Sequence, residues 1–171
     1  MLEFIRSLLF ILLLILMVLF QAFAGQYLPA VKLMDLPLLS LLYLTLIRER
    51  LLWPVVLGAA LGLWQDSLSL CPLGMNGLVK LAAIGLTFVA NSYFAIDRFN
   101  TRWLLLFACS VFSSLTLGSL RILFLNRDEM VNGQLVLLSG LLNASLGLLL
   151  FYLFDKIIKR GERDRKPIRM P

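Results

Sequence analysis

Charge punctuates this chain. Long apolar runs recur along its 171 positions, and most Lys, Arg, Asp and Glu residues fall in short clusters between them. The breaks are Arg48-Glu49-Arg50, Asp97-Arg98 with Arg102, Asn126-Arg127-Asp128-Glu129, and a tail from Lys156 to Pro171. A soluble domain is about 45–50% apolar; here the fraction is 60%, with a mean hydropathy of +0.91. The excess lies in blocks and does not alternate over about 10-residue segments, so a transmembrane barrel does not fit. The pattern predicts an all-α integral membrane protein. It would be a compact bundle of six transmembrane helices, over 7–24, 28–47, 51–69, 73–94, 103–125 and 134–154, with a basic tail over 156–171.

Two of these blocks are ambiguous. The first runs from Leu8 to Phe20 and ends near Ala22-Phe23-Ala24, which has the small-residue form of a signal-peptidase site. Its apolar run is long for a signal peptide, so an uncleaved first helix is expected, with cleavage as the alternative. The second block, Leu36 to Ile47, falls short of the roughly 30 Å of hydrocarbon unless Tyr27 to Met34 adds to it. Pro37 fits a first helical turn. A short or partly re-entrant second helix is expected.

The basic residues set the orientation. With six spans, all the Lys and Arg except Lys32, Lys80, Arg121 and Arg127 fall at the same face as the termini. Positive-inside placement then puts both termini in the cytoplasm. Trp53, Tyr93, Trp103 and Tyr152 fall near that same interface. The net charge of +6 therefore serves topology, and nucleic acid is not an expected partner. The tail also suits anionic lipid headgroups, at about 1 kcal/mol per basic residue near the surface.

Little here suggests catalysis. The chain has no histidine, which excludes His-based catalysis and His metal sites. Cys71 and Cys109 fall at opposite ends of their helices and form no metal motif. No nucleophile elbow, zinc-protease motif, phosphate loop or paired carboxylate is present. The expectation is a protein that is not an enzyme and carries no cofactor or metal.

The residues that stand out lie between Gly58 and Lys80. Gly58, Gly62 and Asp66 stack on one helical face. A turn follows at Leu70-Cys71-Pro72-Leu73-Gly74, and Lys80 lies as far beyond Leu73 as Asp66 lies before it. In an antiparallel hairpin the two charges share one depth. A charge in a bilayer costs roughly 2.5–3.5 kcal/mol, so such groups pair or line a wet cavity. Asp66 is therefore expected to pair with Lys80, Arg121 or both inside the bundle, the alternative being that they reach the outer interface. Gly58 and Gly62 form a GxxxG, and Gly140-x-x-x-Ala144 is a second small-residue pair, with Asn143 and Gly147 on the same face. Packing within the bundle is the expected use of both; a seam between chains is the alternative.

Gly62-x-x-x-Asp66-Ser67-x-Ser69, followed by Pro72-Leu73-Gly74-Met75-Asn76-Gly77-Leu78, resembles the signature of the bacterial rod shape-determining MreD family. Asp35-Leu36-Pro37-Leu38-Leu39 with Tyr43 resembles that family's second helix. The close likeness covers about residues 35–80; Leu70-Cys71 departs from it, since the family often has glycine or a small polar residue there. The resemblance implies a non-catalytic inner-membrane scaffold working with MreC, MreB, RodZ and the elongation transglycosylase and transpeptidase. It also implies a fold like the substrate-binding subunits of energy-coupling-factor transporters, with a cavity open to the outside. Asp66, Lys80, Arg121, Asn76, Pro72 and Gly74 are the candidate partner or pocket residues, and a partner segment would dock near Asp66 to Asn76. The competing function is a vitamin-type transport subunit. The outer connections are poor in the aromatic and amide groups such a pocket needs, offering only Tyr27, Trp64, Asn76 and Asn126.

Overall fold

A computed structural model of the chain describes residues 2–28, 31, 33–47, 51–69, 72–94, 96, 99–125 and 132–163, with side chains described except at 2–10, 125 and 157–163. Regular structure among the described residues is all helical. The helices are α1 (Leu2–Tyr27), α2 (Leu36–Ile47), α3 (Leu52–Ser69), α4 (Met75–Tyr93), α5 (Phe99–Leu125) and α6 (Gly133–Arg163).

The short α2 is the centre of the bundle. Every residue from Pro37 to Thr45 is buried, which is where a helix apolar on all sides belongs. It touches α1, α3, α4 and α6. Leu41 joins Leu14 and Val18 of α1, Leu61 of α3 and Ile84 of α4 in one cluster. Leu38, Leu39 and Leu42 join Leu106 and Cys109 of α5 and Ala144 and Phe151 of α6 in another. Within the span expected over 28–47, the buried helix begins at Leu36. Asp35 sets that boundary, because its Oδ1 accepts the backbone N–H of Leu38 at 3.1 Å, as an N-capping carboxylate does.

Other boundaries shift too. α5 starts at Phe99, ahead of the expected 103, and α6 continues through Arg163, so the first part of the basic tail is helical. Positions 164–171 lie outside the described residues, as do Lys32, Arg48-Glu49-Arg50, Leu70-Cys71, Asp97-Arg98 and Asn126–Glu129.

Two helices are long and apolar enough to cross a membrane: α5 over Phe99–Phe124 and α6 over Gly133–Lys156. Ile11–Tyr27 and Leu36–Ile47 are apolar but shorter. By this measure the described residues give two candidate spans where the sequence pattern predicts six. At 12 residues, α2 extends only about 18 Å. α3 and α4 break their apolar runs with Gln65, Asp66 and Lys80.

The glycines fix how the helices meet. A Cβ on Gly62 would collide with the backbone of Gly77, and one on Gly58 would lie 2.6 Å from Ile84 Cδ1. α4 therefore occupies the GxxxG face of α3 within the same chain. On α6, a Cβ on Gly140 would meet Val111 at 2.8 Å and Phe107 at 3.0 Å, and one on Gly147 would meet Leu106 at 2.9 Å. Ala144, between these glycines, is fully buried. This small face is the seat of α5.

Candidate functional site

Two polar joints lie toward one end of the bundle and a third toward the other. The first is built by Asp66. α4 begins at Gly74, whose φ of 100° is left-handed and suits glycine. Glycine has no side chain to cap the helix it starts. Asp66, from the last turns of α3, supplies the cap. Its Oδ2 accepts the N–H of Gly74 at 2.8 Å; its Oδ1 accepts the N–H of Asn76 at 3.1 Å and the Asn76 Nδ2 at 2.7 Å. Pro72 closes the turn, its carbonyl accepting the N–H of Met75 at 3.4 Å. Asp66 is fully buried, and a buried carboxylate needs such donors. The start of a helix also favours negative charge.

The second joint gathers on the segment that leads into α2. Lys80 is fully buried, and its Nζ donates to Gln65 Oε1 at 2.6 Å and to Asp35 Oδ2 at 3.1 Å. Asp35 keeps 24% of its side chain exposed. Its own N–H donates to Asn143 Oδ1 at 3.0 Å. Asn143 Nδ2 and Ser139 Oγ donate to the Leu33 carbonyl at 3.3 and 2.8 Å. Gln21 Nε2 donates to the Met34 carbonyl at 2.6 Å, while Gln21 Oε1 is buried without a hydrogen bond. Side chains from α1, α4 and α6 thus converge on residues 33–35, and Gln65 of α3 joins them through Lys80.

This arrangement corrects the expected charge pairing. Asp66 bonds to the start of α4, and Lys80 pairs with Asp35. Both are fully buried, but they bond to different partners. Arg121 is half-buried on α5 and forms no ion pair among the described residues. Pro72, Gly74 and Asn76 belong to the cap, as does Asp66.

The third joint holds the opposite end of α2. Tyr43 donates its hydroxyl to Asp155 Oδ1 at 2.8 Å, and Arg102 Nη1 pairs with Asp155 Oδ2 at 2.9 Å. Arg102 Nε also donates to the Ile96 carbonyl at 3.3 Å. The Tyr43 ring packs on Phe151 and Phe154, both with centroids 4.9 Å away. α2, α5 and α6 are tied here.

Sequence reading alone missed Asp35 and Gln65 as partners of Lys80, and the whole Tyr43–Asp155–Arg102 joint. A signal for Asp35 was present: an Asp two residues before a proline, at the head of an apolar run, marks a helix N-cap. Nothing in the spacing marks Asp155 as a partner of Tyr43, 112 positions earlier.

Among the described residues no group of three His, Cys, Asp or Glu side chains could hold a metal ion. The polar groups hold helix ends and cross-link helices. The chain matches no family model, no curated protein and no solved structure.

Proposed function

We propose that this chain is a non-catalytic, multi-pass scaffold of the bacterial inner membrane, belonging to the cell-elongation machinery and binding MreC, with both termini cytoplasmic. It helps position peptidoglycan synthesis. The observation that carries this reading is the architecture of the α3–α4 hairpin. The residues that bear the resemblance, Gly62, Asp66, Pro72, Gly74, Asn76 and Gly77, meet in one joint. Around it Leu68, Leu73 and Leu78 are exposed. Apolar side chains exposed beside a capped helix start suit the docking of a partner's helix or strand. The embedded charges Asp66 and Lys80 have structural partners, which supports a scaffold over chemistry.

The test is detergent affinity purification of the tagged chain from its native membrane, identifying what co-elutes. A bitopic periplasmic coiled-coil protein with cell-wall synthases supports the proposal. Loss of that partner in Leu73→Glu, with the fold intact, would place it at the hairpin. Retention in both Leu73→Glu and Asn76→Ala would rule that docking site out.

A second reading is a substrate-binding subunit of a small-molecule transporter. The polar interior around Lys80, Gln65 and Asp35, with the unpartnered Gln21 Oε1, favours it. Co-elution of transport ATPases, or a metabolite released from the purified chain, would decide for it.

A further inference from the structure

A groove opens between the two helices that are long enough and apolar enough to cross a membrane. It runs between the start of α5 and the later turns of α6. Trp103, Leu148, Leu149 and Tyr152 form apolar walls, and Arg102 and Asp155 form its polar end. Its volume is about 640 Å³, within the roughly 300–1,000 Å³ of small-molecule sites.

The ion pair is not saturated. Arg102 uses Nε on the Ile96 carbonyl and Nη1 on Asp155, leaving guanidinium N–H groups to spare. Asp155 accepts from Tyr43 and Arg102, one bond per oxygen, and each oxygen keeps a further lone pair. Both side chains remain partly open, at 28% and 29% exposure. Trp103 and Tyr152 are residue types that sit at headgroup depth. The groove thus offers a donor and an acceptor side by side, with no net charge, above an apolar trough.

We propose that this groove binds a phospholipid whose headgroup carries both a phosphate and a primary ammonium. The phosphate takes the spare donors of Arg102. The ammonium donates to the free lone pairs of Asp155. An acyl chain lies along Leu148 and Leu149. A purely anionic headgroup brings its phosphate to Arg102 but sets it against Asp155 with no compensating cation. A trimethylated ammonium has no N–H to donate. The inference rests on the membrane reading above.

The test uses Trp103 as reporter in a Trp53→Phe, Trp64→Phe background, reconstituted in phosphatidylcholine nanodiscs. Chain-brominated phosphatidylethanolamine, phosphatidylglycerol or phosphatidylcholine is titrated in, and quenching is recorded. Brominated phosphatidylethanolamine is expected to quench at a roughly five-fold lower mole fraction than either of the others, the value of one net hydrogen bond. Ser145 lines the groove and is exposed, so Ser145→Phe should fill the trough and abolish that advantage without lowering the melting temperature. Equal quenching by all three lipids, or stronger quenching by phosphatidylglycerol, overturns the proposal. A chain that does not incorporate into nanodiscs at all overturns the membrane reading itself, and the lipid site with it.

Discussion

Lys80 Nζ lies 3.1 Å from Asp35 Oδ2, a residue 45 positions earlier, while Asp66 on the neighbouring helix gives both its oxygens to the start of α4. The ion pair ties α4 to the head of the buried helix α2. Removing one partner from a buried pair costs about 3–5 kcal/mol. Because Asp35 is 24% exposed, Lys80→Met should fall at the lower end of that range. The double variant Lys80→Asp, Asp35→Lys should recover part of the loss, and Lys80→Asp, Asp66→Lys should recover none. Thermal unfolding in detergent, read by size exclusion, decides between them; recovery in the second pair alone would contradict the observed pairing.

The helix crossing at Gly62 makes a sharper claim. Its Cβ position is filled by the backbone of Gly77, which cannot swing aside as a side chain can. Gly62→Ala should destabilise the hairpin by about 1–3 kcal/mol. Gly85, on α4, has nothing within 4 Å of its Cβ position. Gly85→Ala should therefore be neutral or stabilise by about 0.5–1 kcal/mol. Equal melting temperatures for the two variants would refute this close approach.

At the cap, Asp66→Ala removes the only side chain that bonds the Gly74 and Asn76 N–H groups among the described residues. Loss of an N-cap costs about 0.5–2 kcal/mol, and the buried amides left without acceptors push this toward the top. Gly74→Ala, at φ 100°, adds about 1–2 kcal/mol of backbone strain. Hydrogen exchange should localise both losses to the first turn of α4. Protection unchanged there would show that Asp66 does not cap it.

At the far end, Tyr43→Phe keeps the packing on Phe151 and Phe154 but deletes the bond to Asp155. About 1 kcal/mol should be lost. Asp155→Leu also strips Arg102 of its partner and should cost more than Tyr43→Phe. Melting temperatures of the two variants provide the check, and the reverse order would mean that Arg102 and Asp155 do not stabilise the bundle.

The helical pattern was legible because apolar blocks and charge clusters alternate on a scale that only helices satisfy. Short-range geometry was legible too: Gly58, Gly62 and Asp66 do share one face, and the helix expected from 73 does begin close by, at Met75. The pairing of Lys80 was not. Sequence spacing gives depth along a helix, and Asp66 and Lys80 are close in depth; it does not give the direction in which a side chain turns. Asp66 turned toward the amide groups of a glycine-started helix, which no residue of that helix could cap. Asp35 carries no local mark of that pairing, because its role toward Lys80 exists only once α2 and α4 are packed together. Tyr43, Arg102 and Asp155 come from three separate helices, and no local pattern joins them.

The segment before α2 is bonded by a helix made long after it. Asn143 and Ser139 reach the Leu33 carbonyl across 110 and 106 positions, and the Asp35 amide reaches Asn143 across 108. During synthesis, then, the central helix waits for the last one. Until α6 emerges, the nascent chain holds an unfinished socket at its centre, with the Leu33 carbonyl and the Asp35 amide lacking their final partners. Chains truncated before α6 should be degraded faster than the full chain, so the bundle carries its own test of whether synthesis reached that helix.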